Sequence, residues 1–343
     1  MTTAQAIVGV TRPRLSAYSV LILGLSIAVI LLFTASLSIG YAPLDIPSAA
    51  RDIFAGNKTL AALVLRELRF PRALLGAVVG FSLGMTGAAM QGLLRNPLAE
   101  PGIVGVSGAA SFGAVLTFYY GAAGIVSLAL PLGAIAGAFA ATLVLFLMAG
   151  SGAGTMTLIL AGIAINSFTA ALTALALNLA ANPFAVNEIV FWLMGSFADR
   201  GLPYVWLVLP MMAIGWGLVG MSGPALEALT LGEDTATSLG VNLSRLRLQL
   251  IAGTALAVGS GVAVAGIIGF VGLVVPHLLR PLVGHRPGRL LFVSGLGGAA
   301  LTLAADINVR LIPVRPELNL GVVTALIGAP FMFSLIYRFR RDR

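Results

Sequence analysis

Hydrophobic residues fall into ten long stretches separated by short polar, Pro- or Gly-containing gaps. The stretches cover about Tyr18–Ile39, Phe70–Leu94, Gly102–Tyr120, Leu128–Ala149, Thr157–Leu179, Pro203–Met221, Leu248–Ile268, Val271–Val283, Leu290–Ile307 and Leu320–Tyr337. The eighth is short. Between Pro101 and Asn187, 87 residues pass without one Asp, Glu, Lys, Arg or His. A water-facing domain cannot sustain this, whereas each charge at a bilayer centre costs about 2.5–3.5 kcal/mol on insertion scales. A spanning helix needs about 20 apolar residues, so this run alone holds three spans and their turns. Segments of alternating apolar and polar residues, the mark of a membrane β-barrel, are absent from the sequence. The pattern predicts an all-α polytopic membrane protein of ten transmembrane helices, one transmembrane domain over 1–343.

Composition sharpens this without changing it. Apolar residues make up 59% and charged residues 9% of the chain, and mean hydropathy is +1.02. The 42 glycines suit close helix–helix approach in lipid. With no cysteine and only His277 and His285, thiolate and His-built metal centres are excluded. The net charge of +8 is carried by arginines in the gaps between spans, which points to membrane topology and partners rather than to nucleic acid. The apolar run after Arg12 and Arg14 is too long for a cleaved signal peptide and reads as an uncleaved helix behind a cytoplasmic tail over 1–17. An even span count then puts both termini in the cytoplasm, with twelve arginines inside and eight basic residues outside. That follows the positive-inside rule only weakly, and the outer arginines need explaining.

Five of the eight lie between Arg51 and Arg72, ending Arg66-Glu67-Leu68-Arg69-Phe70-Pro71-Arg72. Such a cluster suits docking of an acidic partner or capture of an anion, and equally snorkelling at the start of the second span. After that span, Gln91…Arg95-Asn96-Pro97…Pro101 predicts a tight turn, since two prolines four apart cannot share a continuous helix. There Arg95 and Asn96 are placed to satisfy helix-end carbonyls. Gly105-Val106-Ser107-Gly108 contains the string of intramembrane serine proteases, but that chemistry needs a base beside the serine, and only His277 is a candidate. A small-residue packing face explains Ser107 better. Lys58 is the sole lysine and lies outside any Gly-Lys-Ser/Thr string, so a P-loop is excluded. Asp306 is the only acid near a span, and it sits at a span's end, which leaves no proton path. A pump built this way needs another subunit to supply the work. The longest inner loop, 222–247, predicts two short amphipathic helices broken at Gly232 and Gly240, with Leu229, Ala236 and Leu239 beside Glu233 and Asp234. An apolar face outside the membrane implies a protein surface.

Several blocks occur together and in order: Arg69-Phe-Pro-Arg72, Gln91…Arg95-Asn-Pro-Leu-Ala-Glu-Pro101…Gly105-Val-Ser-Gly108, Leu231-Gly-Glu233…Leu239-Gly240, Gly269-Phe-Val-Gly-Leu-Val-Val-Pro-His277…Arg280, and Glu317-Leu-Asn-Leu-Gly-Val-Val-Thr-Ala-Leu-Ile-Gly-Ala-Pro330. From about residue 60 onward the chain resembles the FecCD family, the permease subunits of type II ABC importers for iron–siderophores, haem and cobalamin.

The resemblance implies ten helices per subunit, a homodimer or a heterodimer with a paralogous permease, and a path along the dimer axis in the bacterial inner membrane. It implies two cytoplasmic ATPase subunits, which hold the ATP and Mg, no cofactor on this chain, and a periplasmic substrate-binding protein. By motif, Arg69, Arg72 and Arg310, with Arg66 as a further candidate, match arginines that pair with glutamates on the binding protein. Leu231, Gly232, Glu233, Ala236, Leu239 and Gly240 match helices seated in the ATPase. Thr155, Met156 and Thr157 match the cytoplasmic gate; relatives carry small hydroxyl residues there, and Met156 departs from them. A ferric siderophore or haem is the expected cargo, with cobalamin as alternative. The path, lined by the third to fifth spans and the eighth, is expected to be uncharged. Phe112, Phe118, Tyr119 and Tyr120 are either ligand contacts or interface anchors. A channel or a protease would need neither ATPase nor binding protein.

Overall fold

A computed structural model describes residues 16–40, 43–119, 128–149, 154–180, 182–314 and 316–341. Arg12, Arg14, Tyr120, Arg315 and Arg343 lie outside the described residues. In chain order the helices are α1 Ala17–Ser38, α2 Ile46–Ala55, α3 Leu60–Leu93, α4 Val106–Tyr119, α5 Ala129–Ala149, α6 Thr155–Asn178 and α7 Pro183–Leu193. There follow α8 Leu202–Met221, α9 Gly223–Leu229, α10 Glu233–Ser238, α11 Leu243–Ala265, α12 Val271–Leu279, α13 Pro287–Leu311 and α14 Leu320–Arg341. Among the described residues there is no strand.

Seven of these helices, α1, α3, α5, α6, α8, α11 and α13, are long and apolar enough to cross a membrane. The apolar part of α14 and all of α4 are shorter. The expected eighth span is the nine-residue α12, about 13 Å at 1.5 Å per residue, under half a hydrocarbon core. Two short helices, α2 and α7, go beyond the ten expected. Both open on a capping residue followed by an early proline, Asp45-Ile46-Pro47 and Asn182-Pro183. The Asn182 side chain accepts the Phe184 N–H, which is the usual economy of a Pro-led helix start.

The antiparallel pair α3–α13 is the spine. It is cemented by small residues, because in lipid helices associate through close packing rather than hydrophobic exclusion. A Cβ on Gly80 would meet the Gly298 carbonyl carbon at 2.8 Å, and one on Gly298 would lie 3.1 Å from the Gly84 Cα. Thr302 Oγ1 bridges the two by donating to the Gly76 carbonyl at 2.7 Å. A second small-residue contact joins α4 to α5 through Gly113, Gly133 and Gly137. By contrast α1 buries only Ser36 and turns Ile30 and Leu31 outward. A water-soluble bundle would hide these side chains, but a lipid-facing helix keeps them outside. At one end of the spine α3 begins and α13 finishes. At the other, the end of α3 and the start of α13 meet α9, where Gly92 faces Leu226 and Pro287.

Candidate functional site

At the first end the arginines form one network. The first part of α3 contains a wide π-type turn over Val64–Arg69. Residues three apart share a face of a regular α-helix, and the wider turn rotates Arg66 outward and Arg69 inward. Arg69 is 6% exposed and its Nη1 donates to the carbonyls of Leu37 (2.9 Å) and Ser38 (2.8 Å). Arg310 is 7% exposed; its Nη1 donates to the carbonyls of Ser36 and Ile39, each at 2.8 Å. Both guanidinium groups thereby cap the last turn of α1, where unpaired carbonyls and the negative dipole end favour a cation. Arg72 Nε donates to Asp306 Oδ1 at 3.0 Å and its Nη2 to Glu317 Oε2 at 2.8 Å. The second Asp306 oxygen holds Arg310 Nη2 at 3.0 Å. One buried carboxylate thus joins α3 to α13.

Arg69, Arg72 and Arg310, expected at the binding-protein face, each meet acceptors of their own chain, 31 to 274 residues away apart from the Arg310–Asp306 pair four residues apart. Arg200 is used likewise: its Nε donates to the Val264 carbonyl at 2.7 Å and its guanidinium stacks over Tyr204. Burial lowers its pKa, with Tyr204 and Asp199 opposing. Exposed positive charge at this end is carried instead by Arg51, Lys58 and Arg66. The Arg66 side chain is 64% exposed, with Glu67 at 3.4 Å.

At the opposite end the predicted turn exists and links helices. Gln91 Nε2 donates to the Leu273 carbonyl (3.2 Å), and its Oε1 accepts from Arg280 Nη2 (2.6 Å), fastening α3 to α12. The backbone N–H groups of Asn96 and Arg95 donate to the helix-end carbonyls of Gln91 (3.2 Å) and Gly92 (3.4 Å) as expected. The Asn96 side chain accepts the Leu98 N–H, and Arg95 takes a left-handed φ of 46°. Pro101 packs on Gly272, where a Cβ would stand 2.7 Å from the ring. Burial pushes the Glu100 carboxyl up, offset in part by the N–H of Phe270. Phe270 precedes α12 in a left-handed conformation.

The 222–247 segment folds as the two short helices α9 and α10, broken at Gly232 (φ 106°) and Gly240 (φ 89°). Of its apolar residues, Leu229 and Ala236 pack inward. Leu231 and Leu239 each remain 63% exposed, flanking α10. Glu233 opens α10 and accepts from Thr155 Oγ1 at 3.0 Å, while Arg247 Nη2 donates to both of its oxygens at 3.0 Å. Burial pushes the Glu233 carboxyl up, but the Thr155 and Arg247 hydrogen bonds and the charges of Arg247 and Arg95 outweigh it and hold its pKa below the usual glutamate value. Met156 is 67% exposed and Thr157 is exposed beside it.

Ser107 lines a void of about 20 Å³ with Val79, Ser82, Leu83 and Val262, none of them a base. An apolar cavity of about 530 Å³ lies among α4, α5 and α6, floored by Gly113 and Gly137 and walled by Phe112 and Phe168. A second, of about 720 Å³, lies between α7, α14 and Gly269–Phe270. No charged side chain lines either. Of the four aromatic candidates Phe112 therefore reaches a cavity, and Tyr119 instead donates to the Leu179 carbonyl at 3.3 Å. Neither Glu317 as partner of Arg72 nor Thr155 as partner of Glu233 was foreseeable from spacing.

The family model of the FecCD transport family matches residues 28–338. The chain belongs to that family. It is similar to the uncharacterised ABC transporter permease YvrB of Bacillus subtilis, 39% identical over 81% of this chain and 80% of that one. It is similar also to the vitamin B12 import permease BtuC of Vibrio cholerae, 39% identical over 83% and 86%. Among solved structures, an inward-facing metal-chelate type ABC transporter superposes with a TM-score of 0.81 at 31% identity, covering 93% of this chain and 99% of that one. The FecCD chain described here is thus an ABC importer permease with the type II fold.

Proposed function

We propose that this permease passes a bulky metal chelate from a periplasmic binding protein into the cytoplasm, driven by two ATPase subunits seated on the 222–247 segment. Both termini then face the cytoplasm. The observation that carries this reading is the ordered, glycine-broken segment with Leu231 and Leu239 exposed outside any span. Exposed apolar anchors on a rigid element are what a protein partner covers. ATP and Mg belong to the ATPase, and a second permease copy closes the path. Replacing both Leu231 and Leu239 by Glu is expected to strip ATPase subunits from the detergent-extracted complex; their undiminished co-purification would overturn the assignment.

Substrate follows from the wall chemistry. Uncharged cavities of several hundred Å³ suit a large chelate better than a bare ion, which would need polar ligands to replace its hydration. The vitamin B12 permeases among its relatives favour a corrinoid, and the metal-chelate neighbour keeps a ferric siderophore or haem as the second reading. Parallel uptake assays with labelled cobalamin, haem and ferric siderophore decide between them.

Docking at the periplasmic face rests on Arg51, Lys58 and Arg66, with the Arg69–Arg72–Arg310 network holding the platform beneath them. Reversing the three exposed charges to Glu is expected to weaken binding-protein association about tenfold, less so at high salt, because rim charges act mainly through steering. Unchanged affinity at low ionic strength counts against the platform.

A further inference from the structure

Three elements converge on one carboxylate at the cytoplasmic end. Glu233 is the first residue of α10, Thr155 the first of α6 and Arg247 a member of the first turns of α11. Gly154, which caps α6, has no side chain to offer the helix's first N–H groups, so the start of α6 is held through Thr155. The Thr155 hydroxyl donates to Glu233 Oε1, and Arg247, with its side chain 11% exposed, clamps both carboxylate oxygens. Met156, next along, projects outward.

We infer that Thr155–Glu233–Arg247 is a mechanical link that makes the ATPase-seated helix α10 and the gate end of α6 move as one body. The inference rests on the importer reading above and adds the path by which work reaches the gate. Hydrogen bonds between ionised groups and their partners are short and strongly directional. Displacing α10 therefore drags the first turn of α6 rather than sliding past it. Glu233 thus acts as a positioning residue, joining a surface that receives force to a segment that must open. The rest of α10 makes no such contact: Asp234 and Thr237 face outward, and the Thr237 and Ser238 hydroxyls donate within their own helix.

The sequence contains no cysteine, so M156C permease can carry one environment-sensitive fluorophore per chain, attached before the ATPase subunits are added to form the full complex, with ATP alone as the probe. In this parent, ATP is expected to change the fluorescence. Adding T155V, which keeps the shape and removes the hydroxyl, is expected to cut that response about tenfold, the scale of one hydrogen bond to a charged group. T155S is expected to retain it. T155V is expected to lower the melting temperature only slightly, because Arg247 still holds both Glu233 oxygens, whereas a merely structural role would lower it without removing the ATP response. A T155V response equal to the parent's, or a T155S response as poor as that of T155V, overturns the link. A parent that holds no ATPase overturns the importer reading itself. A parent that holds ATPase yet ignores ATP overturns the gate assignment, and the link with it.

Discussion

Asp306→Asn is expected to destabilise the folded permease by about 3–5 kcal/mol, the range for removing one partner of a buried ion pair. Asp306 is 1% exposed and holds Arg72 and Arg310 at 3.0 Å each. Asn keeps the volume but leaves Arg310 without a carboxylate and Arg72 with Glu317 alone. With Arg310 only 7% exposed, water cannot take the place of Asp306, and only neutral acceptors such as the Ser36 and Ile39 carbonyls remain to offset its buried charge. Against a total stability of about 5–15 kcal/mol for a typical fold, this is a large share. Thermal unfolding in detergent, followed by a fluorescent reporter of aggregation, checks it. Glu317→Gln is expected to do less, because the Glu317 side chain is 22% exposed and can be rehydrated. Arg66→Glu should barely register in the same assay, as exposed pairs contribute at most about 1 kcal/mol. If Asp306→Asn melts with the wild type, the ion pairs of Asp306 with Arg72 and Arg310 contribute nothing to stability.

Gly298→Val should prevent the spine from forming. Even the first added carbon would collide with the Gly80 carbonyl and crowd the Gly84 Cα at 3.1 Å. Backbone atoms cannot rotate away as a side chain can, so α3 and α13 must separate along their length. Ordinary overpacking costs about 1–3 kcal/mol, and a branched residue against a backbone lies at the top of that range or beyond. Loss of the monodisperse peak in size-exclusion chromatography reports it. Gly217 in α8 supplies the contrast, since nothing lies within 4 Å of a Cβ there. Gly217→Ala is expected to be neutral or to stabilise by up to about 1 kcal/mol through the reduced freedom of the unfolded chain. A Gly298→Val protein that elutes and melts normally would show that the close approach of the two helices is dispensable.

The same two sites mark how far the sequence can be read. Long spans announce themselves because lipid penalises every polar residue locally, so α1, placed from apolar length alone at Tyr18–Ile39, forms over Ala17–Ser38. The breaks at Gly232 and Gly240 were legible for a similar reason, as left-handed φ values favour glycine. The eighth stretch is helical only in its first part, because an apolar run says nothing about how much of it is helical: the chain leaves α12 at Leu279 and turns through Pro281–Val283. The helices α2 and α7 lacked the apolar length that marks a span, although their cap-and-proline starts were visible. The contacts of Arg69 and Arg310 were hidden for a different reason: apart from Asp306, their acceptors lie at the end of α1, and no local pattern names them.

Alone, then, the order of residues determined a membrane-embedded helical protein whose 222–247 segment is broken at Gly232 and Gly240 into two short helices. Those features follow from short-range rules: the penalty on polar groups in hydrocarbon, and the conformations open to glycine and proline. Only the tertiary structure decided which arginines are spent inside and which face outward, and that Glu233 ties α10 to α6. Whether a buried charge is tolerable depends on acceptors brought from distant parts of the chain, and that pairing exists only once the helices have packed.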